Sequence, residues 1–241
     1  MTTRSVSNYR QRCGRLGVAA SLFLLASACG TLGSTATPDQ PRFYSLDNPR
    51  AVAPAPPQPL PEGAPTLLVS NTRAAAGFDS RHIIYVRQMH KLDYFVHSEW
   101  IDTPARMLSP LIVAAVTDSG VFRAVVPAPS SATGELRLDT EVVQLQHEFA
   151  QAPSRVRFVL RATLVEDTSR RVIASSEFEA VADAASEDSY GGVVAANQAV
   201  RAVLEKLAAF CSAAAGRWRP DAGTAEIKGG KPSPQARSTT N

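Results

Sequence analysis

Residues 155–166 carry an apolar side chain at every even position up to Leu164, and most of the side chains between them are polar. The apolar set is Val156, Phe158, Leu160, Ala162 and Leu164, and the positions between them include Arg155, Arg157, Arg161 and Thr163. A period of two with one polar side is typical of an antiparallel strand that packs on a core with one face and meets solvent with the other. The segment therefore predicts a half-solvated sheet and not a helix.

The flanking segments predict further strands of this sheet. Residues 171–182 are the expected hairpin partner, with Phe178 and Ala180 inward and Glu177 and Glu179 outward. These outward charges lie opposite the arginines, which favours cross-strand ion pairs on a solvated face over an anion-binding site.

A change of parity marks the strand predicted over residues 135–149. Its apolar side chains occupy even positions up to Val142 and odd positions from Val143 onward. A shift of one residue in a period of two is typical of a β-bulge, and we expect one here.

A pattern of strands followed by a helix occurs twice. The first copy has predicted strands at residues 66–71, 83–87, 92–97 and 121–126, and the second has the three strands described above. The helix of the first copy begins at the N-cap residue Asp102 or Thr103, has Pro104 at its first position, and ends at Gly120. Pro110 lies inside this helix and predicts either a kink or a shifted start of the helix.

Both predicted helices carry one apolar stripe. The first stripe is Met107, Leu108, Leu111, Ile112, Ala115 and Val116, and the second, over residues 189–215, is Val193, Ala196, Val200, Val203, Leu207 and Phe210. Two strands-then-helix units in tandem predict an α+β fold, with a mixed or antiparallel sheet and both helices packed on one face.

The N-terminus carries the pattern of an exported lipoprotein. Four arginines without an acidic residue precede 13 mostly apolar residues, 16–28, and small residues lead directly into Cys29. We interpret residues 1–28 as a lipoprotein signal peptide and Cys29 as the acylated, membrane-anchoring first residue of the mature protein. An ordinary cleaved signal with an incidental cysteine is the alternative, and 13 residues are too few for a transmembrane anchor. Gly30 follows the cysteine, and without aspartate there we expect the outer membrane, facing the periplasm.

Composition divides the mature chain into three parts. Nine of the 17 prolines fall between Pro38 and Pro65, so residues 29–65 predict an extended tether with a short strand at 42–46. Residues 66–215 form the predicted α+β domain, and residues 216–241, including an incidental Trp218, predict a disordered tail.

Charge and cysteine content exclude several classes of protein. Removal of residues 1–28 leaves 21 basic and 22 acidic residues, and this balance argues against a nucleic-acid partner. Cys211 is the only cysteine in the predicted domain, so no disulfide forms within it, and its place on an apolar helix face predicts a buried, unreactive thiol.

No motif predicts catalysis, a metal site or a cofactor. Nucleophile-elbow, dinucleotide-binding, Walker and C-x-x-C sequences are all missing, and the pair His147-Glu148 lacks the second histidine of a zinc protease because Gln151 stands there. His82, His90 and His97 lie in separate elements or on opposite strand faces, which argues against a shared zinc ion. A hydrolase site assembled from scattered residues remains an alternative.

Four segments of the sequence resemble the ABC-type transport auxiliary lipoproteins. They are residues 80–112, 119–126, 136–149 and 193–210, and the resemblance extends over about residues 42–212. It implies a noncatalytic periplasmic subunit of a system that moves lipids or other hydrophobic molecules between the inner and outer membranes. The implied partners are an ABC permease, its ATPase and a substrate-binding subunit with a mammalian-cell-entry domain. A scaffolding lipoprotein of envelope assembly is the alternative, and a homo-oligomer remains open.

Aromatic residues near the start of the first helix are candidates for partner contact. Tyr85, Tyr94, Phe95 and Trp100 lie in or beside the second and third predicted strands. Most aromatic side chains at such places belong to the core. We predict that some of Tyr94, Phe95 and Trp100 instead form an exposed patch for a partner.

Overall fold

A nine-stranded mixed sheet and two helices make up residues 40–47 and 63–219, the part of the chain that the computed structural model describes. The strands are β1 (Arg42–Tyr44), β2 (Thr66–Val69), β3 (Arg73–Ala74), β4 (His82–Gln88), β5 (Lys91–Trp100), β6 (Ala124–Pro127), β7 (Leu136–Glu148), β8 (Arg155–Glu166) and β9 (Val172–Asp183). The helices are α1 (Pro104–Asp118) and α2 (Ser189–Arg217). Residues 41–219, where described, belong to one compact unit. The predicted signal, Cys29 and most of the predicted tether lie outside the described residues.

The long strand β7 organises the sheet. On one side it pairs antiparallel with β8 along its whole length, and β9 follows β8. On the other side β2, β3 and β4 succeed one another along β7, all parallel to it. From this edge the sheet forks, because β6 extends it beside β2, whereas β5 and then β1 extend it beside β4. The sheet is therefore mixed, and the predicted α+β class is confirmed.

The predicted bulge is present in β7. The pairing of β7 with β8 shifts register between Val142 and Gln144. Buried positions change parity at the same place, from Val142 to Leu145 and His147. The extra residue bends the strand, so that its two halves serve different neighbours, β2 and β4.

The two helices pack against the sheet and against each other, which places them on the same face. Helix α1 begins after the N-cap Thr103, and Gly120, with φ of +68°, follows its C-cap Ser119, as the sequence predicts. Its buried stripe is Leu108, Ile112 and Val116, while Leu111 is only partly buried. No helix in the described ranges is both long and apolar enough to cross a membrane.

The polar face of β7, β8 and β9 forms a ladder of ion pairs, as predicted. Arg161 pairs with Glu141 of β7 and Glu177 of β9, and Arg157 pairs with Glu148 and Glu179 in the same way. Arg157 and Arg161 thus each join both neighbouring strands, whereas Arg155 pairs with Glu148 of β7. Burial raises the pKa of Glu148, but hydrogen bonds from Arg157 and Gln146 outweigh it and leave the pKa below its ordinary value.

Two sequence predictions require correction. The strand expected at residues 121–126 is β6, which begins at Ala124, because Phe122 is buried in the core before the strand starts. Trp218, predicted to lie in a disordered tail, is buried, and its indole Nε1 donates a hydrogen bond to Glu166 over 3.0 Å. The folded domain therefore extends past residue 215, and the rest of the predicted tail lies outside the described residues.

Candidate docking surface

The hairpin of β4 and β5 carries the candidate site. Gln88 pairs with Lys91 across a turn formed by Met89 and His90. His90 adopts a φ of +68°, a conformation that few residues other than glycine, asparagine, aspartate and histidine take readily. The turn holds Met89 in solvent with 82% of its surface exposed.

One face of this hairpin is apolar and exposed. Leu92, Tyr94 and Val96 share a parity on β5, and Ile84 of β4 lies opposite Tyr94. Tyr94 is 50% exposed and Val96 73% exposed, and the ring of His82 stacks on Tyr94 with centroids 4.2 Å apart. We call Leu92, Tyr94 and Val96, together with Met89 of the turn, the hairpin stripe. Contiguous exposed apolar side chains of this kind are typical of an interaction surface.

The opposite face of the hairpin is packed against the body. Phe95 contacts the ring of Tyr85 with centroids 4.8 Å apart, and the rings of His147 and Phe149 complete the cluster. The guanidinium of Arg87 lies 4.7 Å from the centroid of the Phe149 ring. Phe95 therefore supports the hairpin from beneath and offers little surface to a partner.

The three residues predicted to contact a partner thus lie in different environments. Tyr94 is exposed in the hairpin stripe, and Phe95 is half-buried in the aromatic cluster. Trp100 is 2% exposed and belongs to the hydrophobic core, so it is not part of an exposed patch. Tyr94 and Trp100 have the same parity on β5, but the pairing of β5 with β4 shifts register between Tyr94 and Glu99, and the strand presents Tyr94 to solvent and Trp100 to the core.

His147 occupies the junction between the hairpin and α2. Its Nε2 lies 2.8 Å from Oγ of Ser154, its Nδ1 has no hydrogen-bond partner, and an added Cβ on Gly192 of α2 would lie 2.5 Å from that Nδ1. Burial lowers the pKa of His147, and this effect outweighs the nearby carboxylates of Glu187 and Asp188.

This Ser154–His147 pair bears on the hydrolase alternative, because it joins a hydroxyl to an imidazole. Both side chains are buried, Ser154 completely, so a substrate has no path to the hydroxyl. The contact links β7 to the start of β8 and is structural in this arrangement. Within residues 40–47 and 63–219, no three histidine, cysteine, aspartate or glutamate side chains are grouped to bind a metal ion.

Two open clefts lie away from the hairpin. A polar one of about 370 Å³ is lined by Arg171, Arg217 and Arg219 near the end of α2, and an apolar one of about 320 Å³ lies between Pro110 of α1 and Pro127 of β6. Burial raises the pKa of Cys211 to about 12, so the predicted buried thiol is confirmed as buried and is not a nucleophile at neutral pH.

Sequence reasoning missed the exposure of Leu92 and Val96. Their alternation with Asp93 and His97 predicts a half-buried strand, and it places the apolar side chains inward. Ser98 shares their parity but is buried, with its hydroxyl 2.9 Å from that of Ser189 in α2, so the parity of β5 alone does not indicate which of its side chains are exposed.

Similarity to known proteins supports the fold and identifies the family. The crystal structure of protein XCC0632 from Xanthomonas campestris superposes with a TM-score of 0.58 and 23% identity, covering 78% of this chain and 97% of that one. A second crystal structure, of an uncharacterised protein, gives a TM-score of 0.55 and 13% identity, covering 72% of this chain and 99% of that one. At these identities the likeness concerns the fold alone. No curated protein is significantly similar to the sequence. The profile of the family described as ABC-type transport auxiliary lipoprotein component matches residues 44–208, which is more than half of the chain, and the protein therefore belongs to that family.

Proposed function

We propose that the protein is a noncatalytic periplasmic lipoprotein subunit of an ABC-type system that moves lipids or other hydrophobic molecules between the inner and outer membranes. The observation that carries this proposal is the family match, which spans the domain from β1 almost to the end of α2. The burial of Ser154 and His147 supports the absence of hydrolysis.

The anchor in this proposal is Cys29, acylated and N-terminal in the mature protein at the outer membrane. Its support is the sequence pattern of residues 16–29. Metabolic labelling with a radioactive fatty acid is expected to mark the wild-type protein and to leave Cys29→Ser unmarked. Label retained by the variant would contradict the anchor.

The partner in this proposal is the mammalian-cell-entry-domain subunit of the transporter, and the folded body forms the contact. A soluble form that begins at Arg42 retains β1 and every described element. We expect it to co-purify with that subunit, yet to fail to restore envelope integrity in a deletion strain, because it no longer connects the partner to a membrane. Recovery of the intact lipoprotein with an unrelated envelope complex, and of the soluble form with no transporter component, would favour a scaffolding role instead.

Tyr94 is the residue to vary first in this experiment. Its ring is exposed, so Tyr94→Ala removes apolar surface without leaving a core cavity. The matched control is Tyr190→Ala, since Tyr190 is also exposed but lies in the first turn of α2. Weaker co-purification with Tyr94→Ala alone would place the partner at the hairpin, and equal recovery would place it elsewhere on the body.

A further inference from the structure

We propose that the distal end of the β4–β5 hairpin rests in the membrane that holds the lipid anchor, with Met89 and Leu92 among the acyl chains. The hairpin is thus a second membrane contact beside the anchor. This inference rests on the acylation of Cys29 in the proposed function, and it adds a lipid-binding surface of the folded body.

The direction of β1 is the first argument. Strand β1 is parallel to β5, with Arg42 beside Ser98 and Tyr44 beside Trp100. Strand β5 begins at Lys91, directly after the hairpin turn. The N-terminal end of β1 therefore points along β5 toward the turn, and the chain enters the fold from the side of the molecule that presents Met89.

Chain length is the second argument. Eight residue positions along β5 separate Ser98, beside Arg42, from His90 in the turn, which corresponds to about 27 Å of strand. Thirteen positions separate Cys29 from Arg42 in the sequence. Such a segment spans at most about 43 Å. It is long enough for an acylated Cys29 and the hairpin turn to reach the same bilayer together.

The chemistry of the hairpin end is the third argument. Its exposed apolar side chains are Met89 and Leu92, and the exposed ring of Tyr94 lies on the same face of β5, two residues farther from the tip. An apolar tip followed by an exposed aromatic ring fits the boundary between acyl chains and headgroups.

One carboxylate lies in this region, and it is neutralised. Asp93 is within 3.2 Å of Nζ of Lys91. Its side chain lies on the opposite face of β5 from the hairpin stripe, because it has the other parity. Asp93 is therefore directed away from the surface that would enter the lipid.

The experiment uses the full-length acylated protein in vesicles of phosphatidylethanolamine and phosphatidylglycerol. Met89→Cys is labelled with an environment-sensitive fluorophore, and lipids carrying a nitroxide on the acyl chain serve as quencher. Cys211 does not compete for the label, because it is buried and its pKa is raised to about 12. The matched control is Val172→Cys, an exposed strand residue that lines the cleft beside Trp218, at the far end of α2.

Insertion to the depth of interfacial segments, about 5–10 Å, is expected to give roughly threefold stronger quenching at position 89 than at position 172. Leu92→Glu in the Met89→Cys protein should remove that difference, because it places a charge in the lipid contact. Val181→Glu, also exposed but on β9, should leave it unchanged. Leu92→Glu and Val181→Glu each place a charge at an exposed position. Equal melting temperatures for these two variants would exclude unfolding as the cause of the lost quenching difference.

Three outcomes would contradict the lipid contact of the hairpin, and the experiment distinguishes them from one another. Protein that floats with the vesicles and shows equal quenching at both positions would overturn the hairpin contact while leaving the anchor intact. Protein that stays in the supernatant would overturn the anchor and this inference together. A label at position 89 that reports water on vesicles and shifts only when the mammalian-cell-entry subunit is added would assign the hairpin to a protein partner and overturn the lipid contact.

Discussion

At the scale of single residues, the surroundings of His147 define its protonation. A hydrogen bond from the backbone N–H of Ser154 lowers the pKa of Glu187. Nε2 of His147 lies 2.8 Å from the Ser154 hydroxyl, whereas the buried Nδ1 has no hydrogen-bond partner, so a ring proton on Nε2 leaves no buried donor unsatisfied and Nε2 is the donor. We expect nitrogen NMR shifts of the Nε2–H tautomer for this ring. A protonated Nδ1 at neutral pH would contradict the arrangement.

A substitution at Gly192 is a steric test of the contact between His147 and Ser154. In Gly192→Ala the new methyl group would lie 2.5 Å from Nδ1 of His147, so the ring has to move and its contact with Ser154 is strained. We expect the free energy of unfolding to fall by about 1–3 kcal/mol. The control is Gly216→Ala in the same helix, where the methyl group meets nothing and should stabilise by about 0.5–1 kcal/mol. Denaturant titration measures both, and equal effects would contradict the close approach.

The lowered pKa of His147 has a consequence for stability against pH. Burial disfavours the charged ring in the folded state, so the unfolded chain, with a pKa near 6.5, binds the proton first as the pH falls. The stabilisation is complete above about pH 6.5 and is lost between that value and the lower folded-state pKa, with a slope of at most about 1.4 kcal/mol per pH unit. We expect the slope between pH 7.5 and 5.5 to flatten in His147→Gln. An unchanged slope would mean that other groups cause it.

At the scale of secondary-structure elements, helix α2 offers a direct test of inside and outside. Val200 is buried against the sheet, and its neighbour Arg201 is exposed. Val200→Asp places a carboxylate in the core and should unfold the domain or lower its stability by several kcal/mol. Arg201→Asp keeps the charge in solvent and should change the free energy of unfolding by less than about 0.5 kcal/mol. Equal melting temperatures for the two variants would contradict the assignment of Val200 to the buried face of α2 and of Arg201 to its exposed face.

Elements with a long, regular pattern could be predicted from the sequence, whereas their neighbours could not. Strands β7, β8 and β9 and both helices follow hydrophobic periods, and the bulge after Val142 follows a parity change. Strand β3 has two residues and no period of its own, and the parallel pairing of β1 with β5 joins segments more than 50 positions apart. Such pairings depend on tertiary packing, and local propensity does not encode them.

Only part of the candidate site could be predicted from the sequence, for the same reason. A strand pattern locates Tyr94 and Trp100 on β5, but the register shift between them and the packing of Trp100 into the core decide which of the two side chains is buried. The approach of Gly192 to His147 is equally hidden, since 45 positions separate the two residues. The sequence thus indicates which residues are candidates, and the pairing of strands selects among them.

At the scale of the whole molecule, Trp218 ties the last described residues to the sheet. Its buried indole closes the contact between the C-terminal end of α2 and Glu166 of β8, and Glu166 also accepts hydrogen bonds from Ser169 and Arg171. Hydrogen bonds from Ser169, Trp218 and Arg171 keep the pKa of Glu166 below its ordinary value against the opposing effect of burial, so the carboxylate is charged at neutral pH and depends on these donors.

Two truncated chains test this contact. A chain that ends after Arg219 keeps Trp218, and a chain that ends after Arg217 keeps the helix but removes the indole and its hydrogen bond to Glu166. Loss of a buried tryptophan typically costs about 3–5 kcal/mol, so we expect the shorter chain to unfold at a clearly lower denaturant concentration. Trp218→Phe in the longer chain should fall between the two, because it restores apolar burial without the donor. Coincident unfolding curves for the two truncations would show that the domain is already complete at Arg217, as the tail boundary predicted from sequence requires.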